Sequence, residues 1–171
     1  MKAITCSNAM PPHPPELLLQ LLQHFIKHQN QVKQIHSLLT TKGILLYNPN
    51  TSPKDNSKWK TTLLFNTLIR AYLNFGQHQQ TLHLFALMLA HQTPPNSHTF
   101  PSIIKAATHS CLSIGTSLHT QAINRGVLYD PFIQTSLLGM YSQFGDLLNA
   151  CKVFDEISHP CIVEYNAMLD A

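Results

Sequence analysis

Apolar residues recur along this chain at the spacing of helices, and nowhere does the alternation of a half-buried strand compete with them. Phe65, Leu68, Ile69 and Tyr72 fall at i, i+3, i+4 and i+7, one stripe of an amphipathic helix. Gly76 predicts a turn, and Leu82, Phe85, Met88 and Leu89 mark a second helix that Pro94 and Pro95 must stop. The same grammar follows in new letters. Phe100, Ile103, Ile104 and Ala107 form one stripe, and Ile114, Leu118 and Ala122 the next. Arg125-Gly126 reads as a helix C-terminus, since glycine takes the left-handed cap conformation freely, and Asp130-Pro131 closes the unit. A third unit carries Leu137, Leu138, Tyr141 and Phe144, then Ala150, Val153, Phe154 and Ile157, and closes at His159-Pro160.

These units repeat one another. At an offset of 69 residues, Leu68 falls on Leu137, Tyr72 on Tyr141, Phe75 on Phe144, Gly76 on Gly145 and Phe85 on Phe154. Each identity matches a structural role. The units span 62–96, 97–130 and 131–161, each a helix, turn, helix and stop. Residues 16–47 hold a degenerate copy, with stripes at Leu18, Leu21, Leu22 and Phe25 and at Val32, Ile35 and Leu39. The polar, proline-bearing stretch 48–61 is expected to be a linker or a decayed repeat. Residues 162–171 restart the phrase and stop about halfway along a first helix, as in a truncated repeat of a longer protein; Tyr165 and Met168 are expected to be poorly ordered or partly exposed. The expected fold is all-α: stacked helix-turn-helix repeats in an α-α superhelix, right-handed by analogy with other such arrays.

Composition narrows the function. Charged residues are only 11% of the chain and the net charge is +3, too weak to mark a nucleic-acid binder that works by bulk charge. Cys6, Cys111, Cys151 and Cys161 include no CxxC pair, which argues against a zinc knuckle or a disulfide framework and for buried or incidental thiols. His24 and His28 stand at i, i+4 but lack a third ligand, so a solvated helix surface outweighs a metal site there. No GxxxxGK, GxSxG, HxE or convincing carboxylate pair is present, so no catalytic residue and no cofactor is assigned. The apolar run 17–26 is too short and too interrupted to span a membrane. Residues 1–15 lack acidic side chains, as an organelle presequence would, but one lysine and four prolines make it a flexible segment and a weak signal.

The phrase FNTLIRAYLNFG, followed by LFALML and PPN, resembles a pentatricopeptide repeat. HTFPSIIKA with SIGTSLHTQAINRGVLYDP is similar to the long variant, and the YSQFGDLLNACKVFDEI phrase within 131–161 to the short one. VKQIHSLLTTKG resembles the second helix of another long variant. Successive lengths of 35, 34 and 31 resemble the plant P-L-S subfamily; a tetratricopeptide array would favour a uniform 34-residue period and a tryptophan signature that this chain lacks.

The resemblance implies a reader of single-stranded RNA at one base per repeat, in a mitochondrion or chloroplast, serving RNA processing such as cytidine-to-uridine editing. It implies that the residue after the first aromatic and the last residue of the repeat face the base. Those positions are Asn66 with Asn96 in the first unit, a combination that implies a pyrimidine. Asn66 could equally cap its helix. The second unit offers Pro101 and Asp130, and Pro101 has no side chain able to donate. The third offers Thr135 with Cys161, and Asn166 opens the next. Implied partners are organellar RNA and, with it, editing-complex proteins, bound by a monomer away from membranes. The competing reading is an α-solenoid scaffold whose groove receives a peptide or helix.

Overall fold

The structure, a computed structural model, describes residues 15–45 and 57–169. Residues 1–14 of the N-terminal segment, Cys6 among them, residues 46–56, which include 48–56 of the expected linker or decayed repeat, and the last two residues lie outside that range. The described residues form nine helices and no strand: α1 (Pro15–His24), α2 (Gln29–Thr41), α3 (Ser57–Asn74), α4 (His78–Ala90), α5 (Phe100–Ala107), α6 (Leu112–Asn124), α7 (Pro131–Gln143), α8 (Leu147–Asp155) and α9 (Ile162–Leu169). The all-helical repeat architecture read from the sequence is the one observed.

The helices fall into two rows. α1, α3, α5, α7 and α9 touch in succession, whereas α2, α4, α6 and α8 touch only the first-row helices that flank them. A stack whose first helices meet and whose second helices stand apart must curve with the first row inside. Burial follows the stripes. Phe65, Leu68, Ile69, Phe100, Ile103, Ile104, Leu137 and Leu138 have no exposed surface, and they join one core running from Leu18 to Val153. No single hairpin could enclose such residues, so each repeat's stability depends on its neighbours.

Two joints between hairpins repeat a polar device. His36 Nδ1 on α2 lies 2.8 Å from the Tyr72 hydroxyl on α3, and His119 Nδ1 on α6 lies 2.9 Å from the Tyr141 hydroxyl on α7. Burial lowers the pKa of both histidines and raises that of both tyrosines. The neutral imidazole and the phenol share a hydrogen bond, which fastens a second helix to the next first helix inside an otherwise apolar joint.

Helix ends obey the chain's punctuation with one exception. After α6, Gly126 takes φ 67°, while its N–H and that of Val127 return to the Ile123 and Ala122 carbonyls. After α4 the same turn is made by Gln92, at φ 52°, with Thr93 N–H returning to the Met88 carbonyl. A side chain therefore occupies a left-handed position that glycine would hold without steric cost.

Three expectations need correction. The stretch 48–61 is not all linker, because α3 begins at Ser57. Its early turn is polar yet proline-free, and Lys60 ties it to Glu16 on α1 by an ion pair. Asn66 cannot be a cap, since it is the tenth residue of α3. His24 and His28 do not share a helix: α1 ends at His24 and His28 caps α2, each edge-on to the Phe25 ring between them. Of the two alternatives for the thiols, buried or incidental, the described cysteines fit the second: Cys111 and Cys161 are exposed and Cys151 is half-covered. At the other end, α9 is formed, with Tyr165 54% exposed and Met168 partly buried against the core.

Candidate nucleic-acid interface

The first-row helices frame a groove of about 800 Å³, walled by α3, the 94–98 turn and the starts of α5 and α7. Asn66 stands beside buried Phe65, which fixes the helix's rotation and leaves the Asn66 amide on the groove side. Its Nδ2 donates to Asn96 Oδ1 at 3.0 Å, so the first-helix residue and the closing residue of the repeat meet directly. Thr99 completes the cluster. Its hydroxyl donates to Asn66 Oδ1 at 2.7 Å and accepts the Asn96 backbone N–H at 3.1 Å. Asn96 Oδ1 also accepts the His98 backbone N–H at 3.2 Å, the usual local turn of an asparagine.

That arrangement leaves specific hydrogen-bonding capacity. One Asn66 amide hydrogen and one of its oxygen lone pairs are spent inside the cluster, as is the Asn96 oxygen. What remains is a donor and an acceptor on Asn66 and the two N–H groups of Asn96. Orientation is set before any ligand arrives, so little side-chain freedom is lost on binding.

The other nominated residues separate. Asp130 reaches the rim of the same groove, where its side chain accepts the Phe132 backbone N–H at 2.9 Å and caps α7. Pro101 also lines the groove, at the second position of α5, where a missing N–H costs nothing. Thr135 does not line it. Its hydroxyl lies 2.8 Å from the Pro131 carbonyl and within hydrogen-bond reach of Glu164, whose carboxylate also accepts the Cys161 N–H at 2.9 Å. Those bonds hold the Glu164 carboxyl down to about 2. Thr135 and Cys161 are thus joined through Glu164, and the Thr135 hydroxyl is engaged there rather than open to a ligand. Asn166, on α9, is exposed and outside the groove.

Sequence reading missed the groove's aromatic walls. Trp59, 51% exposed, and Phe132, 75% exposed, face it together with His98. Large exposed rings beside a polar asparagine pair suit a flat heteroaromatic ligand. The signal of Trp59 and Phe132 was present, since each stands out of register with its helix's buried stripe. Among the described residues no group of three His, Cys, Asp or Glu could hold a metal.

The PPR repeat family model matches residues 60–109, and the PPR repeat model matches residues 135–159. The chain carries pentatricopeptide repeats in these two stretches. It is 47% identical over 154 residues to an Arabidopsis thaliana protein named for its pentatricopeptide repeats, an alignment covering 90% of this chain and 31% of the relative. A second Arabidopsis pentatricopeptide repeat-containing protein is 38% identical over 68% of this chain and 16% of its own length. A third, named chloroplastic, is 33% identical over 61% of this chain and 20% of its own length. The chain therefore spans less than a third of these curated relatives. Among the described residues, no helix is long and apolar enough to cross a membrane.

Proposed function

We propose that this pentatricopeptide array binds single-stranded RNA along its first-helix row, with the Asn66–Asn96 pair reading the edge of one base. The observation that carries the reading is the 3.0 Å contact between those amides, oriented by Thr99, at the floor of a groove with aromatic walls. A uracil presents two carbonyl acceptors and one N–H donor, which the free asparagine groups complement; Trp59, His98 and Phe132 offer stacking faces for neighbouring bases. The setting is a plant organelle, chloroplast or mitochondrion, since relatives include proteins named chloroplastic. The role we assign is recruitment of organellar transcripts for processing such as cytidine-to-uridine editing, within a longer protein of the P-L-S subfamily acting as a monomer beside editing proteins.

A second reading is favoured by one feature. Between α4 and α6, on the outer row, Leu82, Phe85, Leu89, Ile114 and Leu118 line an apolar groove of about 370 Å³, which suits a helical peptide. Fluorescence anisotropy with 12-nucleotide oligouridylate and oligoadenylate separates the two. The RNA reading predicts tighter binding to oligouridylate and a loss of about ten-fold in the Asn66→Ala variant, the scale of one or two good base contacts. A folded chain that binds neither oligonucleotide returns the function to the outer groove.

A further inference from the structure

We propose that Arg70 and Lys105 form a cationic rail that holds the phosphodiester backbone of the RNA one helical turn from the base-reading positions. The inference rests on the RNA-binding reading above and adds where the strand's backbone lies. Its first support is register. Arg70 follows Asn66 by four residues on α3, and Lys105 follows Pro101 by four on α5, so both occupy the ninth place of their units. An i, i+4 step puts each cation on the same helical face as the base position, about 6 Å farther along the axis.

The second support is freedom. Arg70 and Lys105 are both exposed, and neither side chain makes an ion pair or hydrogen bond with the described residues. Arg70 lines the groove that holds Asn66 and Asn96, while Lys105 lines the adjoining concavity of about 320 Å³ with Thr135 and Gly139. The two cations thus stand along consecutive hollows of one face.

The third support is the distribution of charge. From residue 56 to residue 129 the chain contains no acidic side chain at all, against Lys58, Lys60, Arg70, Lys105 and Arg125. From residue 130 onward six acids face one lysine: Asp130, Asp146, Asp155, Glu156, Glu164 and Asp170 against Lys152. A net charge of only +3 conceals this polarity. Asp130, whose side chain caps α7, is the only carboxylate within repeats one and two, so two cations suffice there to bias the path of a polyanion.

The third repeat supplies a built-in test. Its ninth place is Gly139, in the interior of α7, where an added Cβ meets nothing within 4 Å. Gly139→Lys therefore extends the rail without a clash, in a helix that prefers almost any residue to glycine. The experiment measures the dissociation constant of the full chain for 12-nucleotide oligouridylate and oligoadenylate across a salt series.

Each phosphate contact on a single strand contributes about 0.7 to the slope of log affinity against log salt. The rail predicts a slope shallower by about 1.4 in Arg70→Gln/Lys105→Gln and steeper by about 0.7 in Gly139→Lys. The oligouridylate-to-oligoadenylate preference should stay unchanged in both, because only phosphate contacts are altered. RNA binding with an unaltered slope in both variants overturns the rail and leaves base reading standing. A folded chain that binds no RNA at any salt overturns both.

Discussion

Asn66 shows what one residue's surroundings add to its identity. An asparagine on an exposed helix face has a freely turning amide; here Asn96 takes one of its hydrogens and the Thr99 hydroxyl one of its lone pairs. The pairing of Asn66 with Asn96 was legible through family resemblance. Thr99 was not, because it acts on Asn66 from 33 residues away and periodicity speaks only about a residue's own helix. Glu164 escaped for the same reason, acting on Thr135 across 29 residues. Gln92 carries a prediction of its own. It holds φ 52° where Gly76, Gly126 and Gly145 hold the matching turn after other helices. Gln92→Gly removes that strain at a smaller entropic cost, so chemical denaturation should show stabilisation of about 0.5–1 kcal/mol. Gln92→Ala, which keeps a Cβ in the same conformation, should show no gain.

At the scale of elements, the apolar stripes were sufficient to locate most helices. They act within one helix at a fixed period and burial rewards them directly, as the buried faces of α3, α5 and α7 show. The start of α3 was illegible because no stripe marks it. Its first turn is polar and is held instead by the Lys60–Glu16 ion pair. The His36–Tyr72 and His119–Tyr141 joints were equally hidden, being pairings between helices. They make the stack sensitive to pH in a definite direction. Burial depresses both histidine pKa values, so the folded state resists protonation while the unfolded chain accepts it near 6.5. The joints' full contribution is present above about pH 6.5 and is lost as pH falls through the lower folded values. Thermal melts should therefore shift down between pH 7.5 and 5.5. A His36→Phe/His119→Phe chain, which cannot be protonated there, should lose much of that shift. Tyr72→Phe should cost about 1 kcal/mol at neutral pH, the net worth of one hydrogen bond.

The whole molecule turns a short repeated phrase into a surface. First helices touch in series and second helices do not, so the stack has an inner face on which residues at one repeat position line up. On the proposed reading, that geometry lets a chain with few charges be specific through the order of side chains along the inner row rather than through a single deep site. Two features bear on function at this scale, the groove on α3 and α5 and the absence of acidic residues from 56 to 129. Composition hid the second, because the acids after residue 129 offset it in the sum. Both place the proposed RNA against the inner row of the first two repeats.

Photocrosslinking of the chain to 4-thiouridine-substituted oligouridylate, with the joined peptides mapped by mass spectrometry, tests that placement most directly. The inner-row account predicts adducts at the groove's aromatic walls, on Trp59, His98 or Phe132, that diminish in Asn66→Ala. Adducts confined to α4, α6 and α8 would contradict it, as they would put the strand on the opposite face.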